Sequence, residues 1–459
     1  MSVFAPQFEA VEQMIPQGLT GTVDGITGMR VSVAGLRAPV GAMCEMTTRT
    51  GRLVQAQVVG FRGDQALLMP LGDVSGVSKG DAVQCRTTQQ TVAVGGDLLG
   101  RVINGMGDPI DEGGSLCGEQ YYPLFRQAPK AMSRLRIDEP LGTGIRSIDG
   151  LLTAGRGQRL GIFAGTGVGK SVLMGMIARY TSADVTVVAL VGERGREVGD
   201  FLSKDLGKDG LKRSVVIVST SDESPVLRVR ATFLATAVAE YFRDQGADVL
   251  LLVDSLTRLA MAQRQIGLAA EEPPATKGYT PSVFAMLPQL LERSGRTQTG
   301  SITGFYTVLV EGDDINEPIS DAVRGALDGH VWLSRGLANR GHYPAVSVLE
   351  SISRVMIDVV DDEQMEAART ASRVLAVWRD IEDLVNIGAY ARGTNSEYDL
   401  ALDAKPLIDA YLRQGIAEHI GFDQAKKQLL ELNGRIAELA KKARVHRGAP
   451  VGAVGDGPT

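Results

Sequence analysis

The segment Ala164-Gly-Thr-Gly-Val-Gly-Lys-Ser171 constrains the fold of this chain more than any other. It follows the apolar run Leu160 to Phe163 and precedes the helix-forming stretch VLMGMIARY. Strand, glycine loop and helix in that order are the context in which a phosphate-binding loop works. Gly165, Gly167 and Gly169 let the backbone curl so that its N–H groups and the helix N-terminus face phosphate oxygens. Lys170 is then placed to reach the β and γ oxygens of a nucleotide, and the Ser171 hydroxyl to ligate Mg2+. Thr166, Val168 and Val172 complete the expected nucleotide contact. Such a loop belongs on a parallel sheet, which directs the middle of the chain to an α/β fold.

The surrounding pattern agrees. From about Leu151 to Met356, apolar β-branched runs (VTVVALV at 185–191, VVIVS at 215–219, VLLLV at 249–253) alternate with helical segments, as in a sheet buried on both faces. VLLLV ends at Asp254, the position of a carboxylate that holds Mg2+ through its water shell. VTVVALV runs into Gly192-Glu193-Arg194-Gly195-Arg196-Glu197. Loops at the C-terminal ends of parallel strands line the ligand crevice, and a carboxylate there can orient and deprotonate an attacking water. Without the glycine loop upstream, the same alternating charges read as a solvated turn.

The chain has 459 residues, room for about three domains at roughly 150 residues each. Residues 18–95 carry short β-rich runs punctuated by glycine, the signature of a small barrel or sandwich. A Gly-rich connector follows at Gly95 to Gly114. After Asp361 the chain is mostly helical, with Leu429, Leu432, Ile436 and Leu439 on one face. The expected segments are an amphipathic arm (1–17), a β-barrel (18–95), a P-loop domain (96–360), a helical domain (361–446) and a disordered tail (447–459). The arm places Phe4, Phe8, Val11 and Ile15 at helical spacing, which suits either packing on its own domain or docking onto a partner helix. The net charge of −6 lacks the basic character of a nucleic-acid binder. Cys44, Cys85 and Cys117 are widely spaced and show no disulfide or zinc pattern, so a reducing, cytoplasmic setting is expected. No run approaches the ~18 apolar residues that span a bilayer, and the N-terminus has no signal-peptide pattern.

The loop at Ala164–Ser171, the Gly-Glu-Arg-Gly-Arg-Glu-Val turn, Gly278-Tyr-Thr-Pro-Ser-Val-Phe284, Leu287-Pro-Gln-Leu-Leu-Glu-Arg-Ser294 and Leu327-Asp-Gly-His330 together resemble the ATPase of the type III protein export apparatus. That family is related to the F- and V-type rotary ATPase catalytic subunits. The resemblance implies a RecA-like P-loop NTPase core with an N-terminal small β-barrel and a C-terminal helical domain. It implies ATP and Mg2+ at Lys170 and Ser171, and Glu193 as the carboxylate that polarises water. Arg194 and Glu197 would support the γ-phosphate and metal, and Asp254 would be the Walker B acid. Arg354, in Ser351-Ile-Ser-Arg354, matches an arginine finger entering a neighbouring subunit's site, and Tyr343, in His342-Tyr-Pro-Ala345, an aromatic packed on adenine. From spacing alone, a surface ion-pair residue and a half-buried core aromatic are the preferred readings of these two.

The resemblance further implies a homohexamer, a central coiled-coil stalk protein, a stator-like regulator at the N-terminal arm, and contacts with an export gate, chaperones and export substrates at the cytoplasmic face of the inner membrane. Ala164 and Leu327-Asp-Gly-His330 speak against a rotary synthase catalytic subunit, and Glu193 against a non-catalytic subunit, which carries an amide there. The acidic balance speaks against a hexameric nucleic-acid translocase, and intact Lys170, Glu193, Asp254 and Arg354 against a scaffold without turnover. Ile387-Gly-Ala-Tyr390 resembles the flagellar branch; an injectisome ATPase would carry Glu in place of Ala389. Lys426 to Arg447 holds seven basic residues against two acidic ones. That face suits acidic partners or anionic lipid, and equally a solvated helix surface.

Overall fold

The computed structural model describes residues 18–310, 312, 314 and 317–445. The expected arm (1–17), the tail (447–459) and with it Arg447 of the basic segment lie outside the described residues. The chain packs as two compact units. One comprises residues up to Arg136, Arg156–Thr166 and Ala183–Asp328; the other comprises Ile137–Gly155, Gly167–Ser182 and the chain from Gly329.

The first unit opens with a closed antiparallel barrel. Around it the neighbours run Thr20–Thr27, Arg30–Ala34, Gln65–Pro70, Leu53–Arg62, Met43–Thr47 and Ala82–Thr87. The pairing Thr20↔Gln84 brings the last strand back to the first. Alternation explains the interior: Val31 and Val33 of one strand, and Val54, Ala56 and Val58 of another, all point inward. Gly21 is required by close approach, since a Cβ there would lie 2.7 Å from the Ala34 carbonyl oxygen. Cys44 and Cys85 face each other across two strands as buried free thiols. Burial pushes the Cys44 thiol up to about 12, so it behaves as core. Met43, Met69 and Leu71 at the barrel's flank pack against Val226 of the Pro225–Asp244 helix.

The rest of this unit is a parallel sheet in the order Arg159–Ala164, Ser301–Leu309, Asp248–Asp254, Val185–Glu193, Ser214–Thr220 and Val102–Asn104. Every residue of Val185–Glu193 is buried, as its unbroken apolar run requires. An ion pair is sealed beside the sheet. Arg293 donates to both Glu240 oxygens at 2.9 and 2.8 Å and to the Leu124 carbonyl at 2.6 Å, and both side chains are 1% exposed.

The second unit holds the helix Lys170–Tyr180, the antiparallel strands Gly329–Leu333 and Val346–Ser353, and three long helices, Asp362–Asn386, Ser396–Leu412 and Phe422–Val445. Asp361 and Asn395 cap the first two long helices by accepting from the Gln364 and Glu397 N–H groups. Leu429, Leu432 and Ile436 are buried, as their spacing predicts. The unit crosses the linear segments because the end of the Lys170–Tyr180 helix packs on the C-terminal region. Tyr180 stacks on His419 with ring centroids 5.0 Å apart, and Arg179 donates to the Ile416 carbonyl at 3.1 Å. Among the described residues no helix is long and apolar enough to cross a membrane.

Candidate active site

Each unit gathers its own subset of the expected site residues. In the first, Ala164 ends a strand held in parallel register with Ser301–Leu309, and its carbonyl accepts from the Val310 N–H at 3.0 Å. Gly165 and Thr166 then leave the sheet.

Glu193 closes the central Val185–Glu193 strand. Gly192, at φ +71°, introduces a register shift that re-aims this end, and Ser221 N–H donates to the Glu193 carbonyl at 3.0 Å. The Glu193 side chain is buried and hydrogen-bonds the Glu197 carboxyl. That bond, then Arg194 and Arg258 nearby, holds Glu197 below the ordinary carboxylate range against the opposing effect of burial. Arg194 itself is largely exposed and lies 3.6 Å from Glu197. A buried carboxyl at the end of a central strand, with a second carboxyl and two arginines beside it, is placed to orient a water and accept its proton.

Asp254 ends the adjacent strand, 3% exposed, and its Oδ1 accepts from the Thr307 hydroxyl at 2.7 Å. Sequence reading missed two residues here. Thr307 is a polar position inside the apolar run Ser301–Leu309, and it fixes the Asp254 carboxylate. Arg258 lies one turn beyond Asp254, in the Leu256–Ala269 helix, where its charge reaches Glu197. A Cβ at Gly192 would lie 3.1 Å from the Arg258 Cβ, so the glycine also makes room for that approach. Arg258 had a signal, an arginine spaced one helical turn after the strand-ending acid; Thr307 becomes legible only through its neighbour in the sheet.

In the second unit, Gly167 and Gly169 adopt φ +77° and +92°, conformations open to glycine. Val168 is buried and anchors the loop, while Ser171 is exposed and Lys170 and Val172 half-buried. Gly169 caps the Lys170–Tyr180 helix without a side-chain hydrogen bond, leaving first-turn N–H groups for an anion. Tyr343 lies against the same loop: a Cβ at Gly169 would sit 3.5 Å from its Cδ1 and Cε1, and the ring is 46% exposed. A half-open aromatic face beside a phosphate loop suits a purine base.

Arg354 follows the Val346–Ser353 strand and is exposed, with no ion pair among the described residues. Its neighbours are fixed. Ser353 Oγ donates to the Thr153 carbonyl at 2.8 Å, and a Cβ at Gly155 would lie 2.9 Å from Val355 Cγ1. The guanidinium therefore projects from a rigid bend.

The donors suit Mg2+, since the Ser171 hydroxyl and the Asp254 carboxylate are hard oxygens. Among the described residues no group of three or more His, Cys, Asp or Glu could hold a metal ion, and Mg2+ carried on phosphates takes only one or two protein oxygens.

Three family patterns match in order: the ATP synthase alpha/beta family beta-barrel domain over residues 24–86, its nucleotide-binding domain over 144–353, and the T3SS EscN ATPase C-terminal domain over 360–431. The chain is 51% identical to the flagellum-specific ATP synthase of Treponema pallidum, covering 93% of this chain and 95% of that one. It is 50% identical to the type 3 secretion system ATPase of Xanthomonas euvesicatoria, covering 86% and 89%. Among solved structures it resembles the assembled ATPase EscN of the enteropathogenic E. coli type III secretion system, with TM-score 0.86, 41% identity, and 90% of this chain and 100% of that one covered. The same protein in complex with its central stalk EscO matches with TM-score 0.83, at the same identity and coverage.

Proposed function

Because the chain belongs to the ATP synthase α/β family and, within it, to the flagellum-specific and type III secretion ATPases, we propose that it hydrolyses ATP to energise protein export through a flagellar type III apparatus. The flagellar reading is supported by the names of the relatives at 50 and 51% identity and by Ala389 in Ile387-Gly-Ala-Tyr390. The observation that carries the catalytic reading is Glu193, a buried acid at the end of a central strand, hydrogen-bonded to a second carboxyl.

In this reading the Gly165–Val172 loop binds the phosphates through its N–H groups, and Lys170 neutralises charge on the β and γ oxygens. Glu193 orients the attacking water and accepts its proton, with Glu197 fixing that carboxyl and Arg194 and Arg258 holding the surrounding charge. Tyr343 packs on adenine. Ser171, and Asp254 through water, would hold Mg2+, which when bound neutralises charge at the transferring phosphoryl group. Arg354 belongs to the site of a neighbouring copy, where a guanidinium stabilises transition-state charge.

A chain carrying both its own base and its own finger builds complete sites from identical copies, so the working assembly is a homohexamer. EscN was solved with a central stalk, and a coiled-coil stalk is the partner proposed here. The N-terminal arm docks a stator-like regulator, and chaperones, cargo and an export gate meet the assembly at the cytoplasmic face of the inner membrane. In a flagellated host relying on this chain, Lys170→Ala is expected to abolish swimming and filament export while leaving the protein folded. Normal swimming would sink the flagellar reading, and normal ATP turnover by the purified variant would sink the enzymatic one.

A further inference from the structure

Between the barrel and the Pro225–Asp244 helix a cation is buried without a counter-ion among the described residues. Arg230, in the Pro225–Asp244 helix, is 7% exposed. Its Nη1 donates to Gln90 Oε1 at 3.0 Å, a neutral acceptor, and its Nε has no hydrogen-bond partner. No carboxylate pairs with it among the described residues; the exposed Asp108 attracts it only at range. Arg293, buried still more completely, shows what such a charge ordinarily receives, a bidentate carboxylate from Glu240. Burial pulls the Arg230 guanidinium below its usual value, yet arginine does not lose its proton in proteins, so the charge remains to be neutralised.

The space beside it suits a ligand. A cavity of about 260 Å³ is lined by Arg230 together with Gln55, Gln89 and Gln90 and by the ion pair of Arg86 with Glu45. That pair is neutral as a unit, so Arg230 supplies the unbalanced charge. The volume falls below the roughly 300–1,000 Å³ of pockets for drug-sized molecules and fits a small ion with its water. A guanidinium presents paired N–H donors that match a tetrahedral oxyanion.

We propose that this cavity is a binding site for inorganic phosphate, held on Arg230 with the glutamine amides around it. Gln90 Nε2 also donates to the Gly41 carbonyl at the barrel. The chain of hydrogen bonds from the Gly41 carbonyl through Gln90 to Arg230 is thus formed by the protein alone, and the anion adds the missing negative charge at its end.

The test is thermal unfolding of the full chain titrated with sodium phosphate against sodium chloride at equal ionic strength. All proteins carry Lys170→Ala so that phosphate binding at the P-loop is suppressed. The parent is expected to gain a midpoint shift that saturates with phosphate, as binding to the native state requires. Arg230→Gln should weaken that response at least about tenfold, the loss of a charge-assisted hydrogen bond. Gln90→Glu places a carboxylate beside Arg230, at the cost of the hydrogen bond to the Gly41 carbonyl, and should abolish the response to phosphate. No saturating response in the parent, an undiminished one in Arg230→Gln, or an undiminished one in Gln90→Glu would each overturn the proposal. Should Arg230→Gln fail to fold, Gln90→Glu decides alone.

Discussion

Replacing Arg354 by alanine separates a residue that acts on a neighbour from one that serves its own chain. The side chain is exposed and forms no ion pair among the described residues, and the backbone around it is held by Ser353 and Val355 rather than by the guanidinium. Its removal should change stability by no more than about 0.5 kcal/mol. Turnover should fall by about 10³–10⁵, the range for an arginine finger, equivalent to roughly 4–7 kcal/mol of barrier. ATP binding should persist, since the P-loop and Tyr343 are untouched. Mixing gives a sharper assay. Lys170→Ala protomers lack the phosphate lysine but keep Arg354, and Arg354→Ala protomers have the reverse. In a random equal mixture, about one interface in four joins an intact Lys170 to an intact Arg354. The mixture should then recover about a quarter of wild-type turnover if sites act independently, although each variant alone is nearly inactive. A mixture no more active than its parts would refute action in trans.

Two further outcomes follow from the geometry. Tyr343→Ala should weaken ATP binding by about 1–3 kcal/mol, the usual worth of base stacking, with Tyr343→Phe near wild type; a fluorescent-nucleotide titration showing equal affinities would reject the adenine contact. Arg293→Met or Glu240→Leu should each destabilise by about 3–5 kcal/mol because the partner charge is left buried, while the double variant recovers most of the loss. Urea unfolding in which the double variant loses the sum of the two single losses would contradict that coupling.

The parts of the site that were legible in the sequence are those whose chemistry sits in one contiguous stretch. The glycine loop, its preceding strand and its helix lie within a single run from Leu160 to Tyr180, and the apolar strands ending at Glu193 and Asp254 declare themselves by composition. What was hidden depends on register. Thr307 reaches Asp254 because Val253 pairs with Tyr306 in neighbouring strands, and Arg258 approaches the Glu193 end because Gly192 shifts the strand's register and leaves no side chain in the way. Neither relation has a local trace. Barrel closure was likewise undecidable between barrel and sandwich, since Thr20↔Gln84 joins strands far apart in sequence. The grouping of the Lys170–Tyr180 helix with the C-terminal helices follows from Tyr180 on His419, a contact between residues each unremarkable in its own segment.

ATP hydrolysis by this chain turns on Glu193 as the group that orients and deprotonates water. Single-turnover hydrolysis by Glu193→Gln, with ATP binding measured on the same preparation, tests it most directly. Binding should stay intact and the rate fall by about 10²–10⁴, the usual contribution of a positioned general base. Hydrolysis near the wild-type rate would contradict it.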